Sequence, residues 1–341
     1  MKILGIETSC DETAVAVVEN GNRVIKNVIF SQIDLHAQTG GVVPEVAARE
    51  HILKIIPALE QIDLEEIDAI AVTQGPGLIS SLLTGTVTAS TLGLVLGKPV
   101  IPVNHIHGHI YANWLERSEI EFPVLILTVS GGHNELILMR GHGDFEVIGE
   151  TLDDAAGEAF DKVSRMLGLG YPGGPAISRA AENGNPSRYD LPRAWLKKGS
   201  FDFSFSGLKS AVLRIVQAEM ELFPLAGINE QVSFFGSASL CHDVNKNDMA
   251  ASFQEAATDV LSKKLAMAAE KFDAKEVHLA GGVSANGRLR ELVQERVQGR
   301  TLRFPKKIEY CTDNAAMIAA AGYFLQEKNA GRKNVSAKAS F

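Results

Sequence analysis

Two histidines four residues apart, His105 and His109 in Pro102-Val103-Asn104-His105-Ile106-His107-Gly108-His109, are the residues of this chain best placed to do chemistry. On a helix that spacing sends both imidazoles out from one face, one turn apart, where their nitrogens can converge on a single cation. The pair reads as two ligands of a metal site that still lacks its third. The competing reading, two polar side chains on the outside of a helix, is left open by spacing alone. The apolar stretch Pro99 to Val103 reads as a short strand, so the helix starts at a strand end, where open α/β sheets hold their ligands.

The elements that must position this pair follow a repeated pattern. A strand, Lys2 to Ile6, leads through the polar turn Glu7-Thr8-Ser9-Cys10-Asp11-Glu12-Thr13 into a second strand, Ala14 to Val18. The same arrangement returns at Val124 to Val129, Ser130-Gly131-Gly132-His133-Asn134 and Glu135 to Met139. Two hairpins with polar tips, about a hundred residues apart, point to two lobes of related construction rather than a short-period solenoid. A third element is strand, glycine turn and helix: Val277 to Ala280, Gly281-Gly282-Val283-Ser284-Ala285-Asn286, then Arg288 to Arg296. Such a turn lets backbone approach a phosphate or ribose, with helix amides facing it. Together the three turns resemble the two phosphate loops and the adenosine loop of the actin, sugar-kinase and heat-shock ATPase superfold. That analogy implies an α/β fold of two ribonuclease-H-like lobes closing on a nucleotide, without naming a reaction.

Composition bounds the rest. A chain of 341 residues exceeds one core of ordinary size, so two lobes are expected. The expected division is 1–104 plus 305–328 for the amino-terminal lobe, 105–304 for the carboxy-terminal lobe with an inserted segment at 185–250, and a flexible tail at 329–341. Three scattered cysteines, Cys10, Cys241 and Cys311, argue against a disulfide framework and for the reducing cytoplasm. The amino terminus reaches Glu7 before an apolar run of signal-peptide length, so no export is expected. From Ala69 to Gly97 there is no charge, a length that could span a bilayer. Gly75-Pro76-Gly77 divides it, however, and the following helix carries Ser80, Ser81, Thr84, Thr86, Thr88, Ser90 and Thr91, which suits a helix buried between layers rather than a membrane span. The net charge of -8 speaks against extensive phosphate neutralisation. Basic clusters at Arg193, Lys197 and Lys198, at Arg288 and Arg290, at Lys306 and Lys307, and from Lys328 through Arg332, Lys333 and Lys338 still allow a local nucleic-acid face.

Over roughly Lys2 to Lys328 the chain resembles the tRNA N6-adenosine threonylcarbamoyltransferase family, the bacterial TsaD proteins. The resemblance is carried by Gly5-Ile6-Glu7-Thr8-Ser9-Cys10-Asp11-Glu12-Thr13, Gly41-Val42-Val43-Pro44-Glu45, the histidine pair and Val129-Ser130-Gly131-Gly132-His133. It continues through Asp153-Asp154-Ala155-Ala156-Gly157-Glu158-Ala159-Phe160-Asp161-Lys162, Tyr171-Pro172-Gly173-Gly174-Pro175, Phe203-Ser204-Phe205-Ser206-Gly207-Leu208-Lys209, Ala280-Gly281-Gly282-Val283-Ser284-Ala285-Asn286 and Cys311-Thr312-Asp313-Asn314-Ala315-Ala316-Met317.

The resemblance implies transfer of a threonylcarbamoyl group from threonylcarbamoyl-AMP to N6 of the adenosine 3′ of the anticodon, in tRNAs reading codons that begin with A, with release of AMP. It makes Asp313 the third metal ligand beside His105 and His109, where the residue alone would read as a helix cap. The ion implied is divalent, iron(II) expected and zinc possible. Substrate positions carry over to Thr128, Val129, Ser130, Gly131, Gly132, Asp161, Gly174, Ser178 and Asn286, and Asp11 or Glu12 is the candidate base for the N6 proton. Partners implied are the tRNA, the smaller paralogue TsaB, which docks through a helical interface in the amino-terminal lobe, and the ATPase TsaE. Two positions depart from the family pattern. Ser178 stands where many relatives have aspartate, and His107 where a glutamate is expected between the ligands, leaving His107 either behind the ligands or exposed. A zinc protease would want His-Glu-x-x-His, but Ile106 follows His105 here. A sugar kinase would share the fold without needing two histidines, and a non-catalytic paralogue would lack the complete metal set.

Overall fold

The computed structural model describes residues 1–117, 119–197, 199–222, 245–329 and 335–340. Cys241, Lys198, Arg332, Lys333 and residues 223–244 of the 185–250 segment lie outside the described residues.

Two five-stranded sheets are built on one plan. In the first, β1 (Lys2–Glu7), β2 (Glu12–Glu19) and β3 (Arg23–Ser31) form an antiparallel meander, and β4 (Ala69–Gly75) and β5 (Val100–Asn104) add in parallel, giving the order β3-β2-β1-β4-β5. The second repeats it with β6 (Val124–Val129), β7 (Asn134–Gly141), β8 (Asp144–Glu150), β9 (Glu276–Ala280) and β10 (Thr301–Arg303), in the order β10-β9-β6-β7-β8. The registers Ile6↔Val15 and Val129↔Asn134 leave the two predicted polar turns as hairpin tips. Central strands β1, β4, β6 and β9 are buried almost throughout and correspondingly apolar, as strands covered on both faces must be.

The helices are α1 (Ile33–Ala37), α2 (Pro44–Leu59), α3 (Ile79–Leu96), α4 (His105–Tyr111), α5 (Ala156–Leu167), α6 (Gly173–Ala181), α7 (Ser206–Leu222), α8 (Lys246–Lys271), α9 (Gly287–Arg296) and α10 (Ala315–Asn329). One hydrophobic cluster joins α2 to the first sheet through Ile55, Ala58 and Leu59 against Leu4, Ile6 and Val72. Another lies under the second sheet, where Leu191, Phe201, Phe203, Phe205, Met249 and Ala250, all from the 185–250 segment, pack with α5 and α8. A third bridges the sheets around α10. Residues 335–340 lie against the end of β4: Lys338 N–H donates to Gln74 C=O at 2.8 Å and Gly77 N–H to Ala339 C=O at 3.3 Å.

Helix α3 departs from expectation. Ser81, Leu82, Gly85, Thr86 and Ala89 are buried, but Ile79, Leu83, Val87, Leu94 and Val95 stand exposed on the opposite side, Leu94 by 85%. The hydroxyls that suggested burial between layers bond back to their own helix: Thr86 donates to Leu82 C=O, Thr88 to Thr84 C=O, Ser90 to Thr86 C=O and Thr91 to Val87 C=O. Small polar residues therefore do not report burial here. By length and composition α3 is the one helix among the described residues apolar enough to cross a membrane.

Helix α10 is alanine-rich from Ala315 to Ala321, every residue of that run is fully buried, and its neighbours make room with glycine. A Cβ on Gly5 of β1 would stand 2.1 Å from Ala315 O, and one on Gly108 of α4 would stand 2.6 Å from Ile318 Cδ1. The backbone atom at Gly5 cannot swing aside as a side-chain tip can, so Gly5→Ala must displace the helix itself. Overpacking of this kind costs about 1–3 kcal/mol, and we expect Gly5→Ala to lower the thermal midpoint accordingly, measured by circular dichroism; an unchanged midpoint would contradict this packing.

Candidate metal centre and the adjoining cleft

The histidine pair sits where β5 ends. Asn104 caps α4, its Oδ1 accepting from Ile106 N–H at 2.8 Å and His107 N–H at 3.3 Å, so His105 opens the helix and His109 follows one turn later. Asp313 arrives from the segment before α10, whose first turn is held by Asn314 Oδ1 accepting from Met317 N–H at 3.0 Å. Asp313 Oδ1 lies 3.4 Å from His105 Nε2 and 3.2 Å from His109 Nε2, with the rings 4.7 Å apart and crossed at 80°.

The three residues fit a metal ion. Both ring nitrogens of His109 are buried without a hydrogen-bond partner among the described residues, so its short approach to Asp313 lacks hydrogen-bond alignment. An orphaned buried imidazole aimed at a carboxylate, with a second imidazole alongside, is the donor set that borderline divalent ions accept. His105 is oriented from behind: its Nδ1 is 3.1 Å from Glu7 Oε2 and 3.2 Å from Ser9 Oγ, leaving Nε2 turned to Asp313. Glu7 is itself fully buried and accepts from Ser9 N–H and Thr73 Oγ1, both at 2.5 Å. Burial opposes a charged His105, yet Asp313 and then Glu7 hold its pKa well above the ordinary value. Burial likewise opposes a charged Asp313, and the two imidazoles keep it well below the carboxylate range. A dication in place of the shared proton would answer the same attraction.

Asp11 and Glu12, from the first hairpin tip, join this group. Their carboxylate oxygens and that of Asp313 all lie within 4.8 Å of one another. Burial, with Asp11 and Asp313 beside it, raises the Glu12 pKa well above the usual value, although Ser31 Oγ donates to it at 3.0 Å. His107 is neither behind the ligands nor exposed. Its half-buried ring lies on Phe145 at 4.3 Å, and burial lowers its pKa to about 4.

The remaining predicted positions cluster on the second sheet. Thr128 and Val129 end β6, and Thr128 Oγ1 is buried without a partner among the described residues. Ser130 N–H donates to His133 C=O at 2.9 Å and closes the hairpin tip, leaving open space where a Cβ on Gly131 or Gly132 would stand. The glycine turn meets this tip: Gly281, at φ +82°, would place a Cβ 2.4 Å from Val129 O, and Gly157 of α5 would place one 2.4 Å from Ser130 O. Asp161 on α5 accepts from Gly173 N–H at 2.7 Å, and Gly174 beside it is open. Ser178 of α6 and Asn286 at the start of α9 are hydrogen-bonded to each other at 3.0 Å. The first-sheet and second-sheet groups are electrostatically in reach: burial, then Asp11 and Asp161, pushes the Tyr171 phenol up, and burial, then His105 and His109, lowers His133 to about 4.

Comparison with known proteins decides the family. A family model described as TsaD, tRNA N6-adenosine threonylcarbamoyltransferase, matches residues 23–320. The chain belongs to this family. A tRNA N6-adenosine threonylcarbamoyltransferase of Thermomicrobium roseum is 54% identical over 342 residues, covering 96% of this chain and 93% of that protein. The Bacillus subtilis enzyme of the same name is 50% identical, covering 96% and 91%. This chain is accordingly a transferase that modifies tRNA. Among solved structures, T. kodakarensis HypF superposes with a TM-score of 0.61 at 14% identity, over 96% of this chain and 48% of HypF. The activator of the 2-hydroxyisocaproyl-CoA dehydratase from Clostridium difficile superposes with a TM-score of 0.51 at 12% identity, over 99% of this chain and all of its own. At these identities the likeness is one of fold, the two-lobed α/β superfold read from the three turns.

For a transferase of this family, sequence reasoning left Glu7, Tyr171, His133 and Gln254 without roles. Glu7 carried a usable signal, an acid directly after the apolar run Ile3 to Ile6, since a buried carboxylate there needs partners. Tyr171 and His133 lay inside quoted motifs and Gln254 outside all of them, with nothing in spacing to single any of the three out. We expect His109→Ala and Asp313→Asn to lose bound divalent metal at stoichiometric loading, and Glu7→Gln to weaken it about 10- to 100-fold, the usual effect of removing a carboxylate behind a ligating histidine. Metal analysis after gel filtration checks this; full retention by His109→Ala would remove the residue from the site.

Proposed function

We propose that this transferase moves the threonylcarbamoyl group of threonylcarbamoyl-AMP to N6 of the adenosine 3′ of the anticodon, in tRNAs reading codons that begin with A, with one divalent metal ion on His105, His109 and Asp313. Iron(II) is the ion we favour, with zinc as the alternative for the same donors. The observation that carries the reading is the meeting of that donor set with two buried acids, Asp11 and Glu12, while His133 of the second hairpin tip lies within electrostatic reach of both imidazoles. When bound, the ion supplies a Lewis acid for an oxygen of the donor substrate.

The chain's own residues supply the rest. Gly131 and Gly132, with no side chain in the way, let backbone amides approach the adenylate phosphate. Asp161, with one oxygen committed to Gly173 N–H, has the other available for ribose. The N6 amine attacks the carbamoyl carbon, the N–C bond forms, the C–O bond to phosphate breaks, and the electron pair leaves with AMP. The amine's proton passes to Asp11 or Glu12. Burial beside other acids raises the proton affinity of Glu12, the direction a carboxylate needs to accept a proton from an amine.

Helices α2 and α3 pack on each other, and each leaves apolar side chains exposed, Ile52, Leu53 and Ile56 on α2 and Leu83 and Val87 on α3. Exposed apolar surface of this kind is what a permanent partner covers, and we assign it to the paralogue TsaB rather than to a membrane. TsaE and the tRNA would complete the assembly, in the cytoplasm.

Incubating the chain with TsaB, TsaE, unmodified tRNA and threonylcarbamoyl-AMP should yield threonylcarbamoyladenosine by mass spectrometry, and single-turnover transfer should fall at least a hundredfold in whichever of Asp11→Ala or Glu12→Ala removes the base. Unchanged rates in both would end the assignment of either acid. Leu83→Glu with Val87→Glu should abolish co-elution with TsaB while leaving the melting curve of the free chain in place; continued co-elution would move the interface elsewhere.

A further inference from the structure

We propose that Gln254 reads the ribose of the adenylate, its side-chain Nε2 donating to a ribose hydroxyl; this rests on the adenylate reading given above. Gln254 stands on α8 and faces Ser178 of α6 and Asn286 at the start of α9. Its Oε1 accepts from Asn286 Nδ2 at 2.8 Å and from Ser178 Oγ at 3.0 Å. Asn286 fixes which way the amide lies, because its own Oδ1 is held by Leu289 N–H and a turned Gln254 would oppose N–H to N–H.

Hydrogen-bonding capacity then decides which residue is left to meet a ligand. Asn286 gives its Nδ2 protons to Gln254 and to Ser178 Oγ, and its Oδ1 caps α9 by accepting from Leu289 N–H at 2.9 Å. Ser178 has given its single proton to Gln254. Neither of these two candidate substrate residues retains a proton to donate. Gln254 Nε2 retains both: the side-chain bonds Gln254 makes to described residues are at Oε1, and the side chain is half-buried.

The surroundings leave room for a ligand. Gly174, one turn before Ser178 on the same helix, and Gly282 and Gly287 around the Asn286 turn all have open space where a Cβ would stand. A ligand entering here meets an amide donor, with spare lone pairs on Ser178 Oγ and Asn286 Oδ1. A vicinal diol, each oxygen able to accept and donate, complements that edge. An aspartate at position 178 would offer lone pairs only, so the pairing of Ser178 with Gln254 reverses the sense of one contact.

The test is titration calorimetry of the full chain with AMP, 2′-deoxyAMP and 3′-deoxyAMP. The unaltered chain should bind AMP about tenfold more tightly than one of the deoxy compounds, the worth of one neutral hydrogen bond. In Gln254→Leu, AMP affinity should fall to that of the deoxy compound and the difference vanish; Gln254→Met, closer in length and equally unable to donate, serves should the leucine variant melt early. A merely structural Gln254 would weaken all three ligands alike and leave the difference standing, and that result overturns the proposal, as does an unaltered chain indifferent to the hydroxyls. An unaltered chain that binds no AMP at all refutes the adenylate reading instead.

Discussion

The close approach of α10 to β1 and α4 is the constraint on which the centre depends. An alanine-rich helix can lie against a strand at van der Waals distance only where the strand has no side chain, and Gly5 meets that need directly beneath Ala315. Gly108 does the same on α4, between the two histidines. The outcome is that Asp313, two residues before the helix, reaches imidazoles it is separated from by some two hundred residues of chain. A larger residue at either glycine would strain the core and at the same time pull one ligand away from the other two, so packing and chemistry rest on the same contacts.

Charge sets the second condition. Glu7, Asp11, Glu12 and Asp313 crowd a small buried volume, and carboxylates so placed cannot all ionise without compensation. His105 supplies part of it, shared between Glu7 and Asp313, while His109 supplies none through a hydrogen bond of its own. A divalent cation on this donor set would offset part of the acid charge and occupy one of the two unpaired nitrogens of His109. The same crowding keeps the Glu12 pKa raised, so acid–base and metal-binding properties of the site share one origin.

How far the sequence could be read depended on whether the signal was local. The histidine pair, the two hairpins and the glycine turn each lie within a few residues, and all appear where spacing placed them. The elements run slightly longer than read, as with β4, which extends through Gly75 rather than ending at Val72. Asp313 could not be tied to the histidines by spacing, since only tertiary packing joins them; resemblance to a family supplied it. The burial of α3 was misjudged because its hydroxyls satisfy themselves along the helix axis, which makes a polar-looking helix compatible with an apolar outer face. Gln254 was invisible for another reason: its role depends on where its neighbours spend their protons, which composition does not encode.

The two matching strand orders divide labour unevenly. The candidate donor set, His105, His109 and Asp313 with the supporting Glu7, stands on β1, at the end of β5 and before α10, whereas the second tip and the glycine turn stand on the second sheet, and the cluster around α10 and α4 joins the two. Because that cluster belongs to both sheets, parting them would open the core beside Asp313 itself, so the donor set and the second sheet are built to keep their places together.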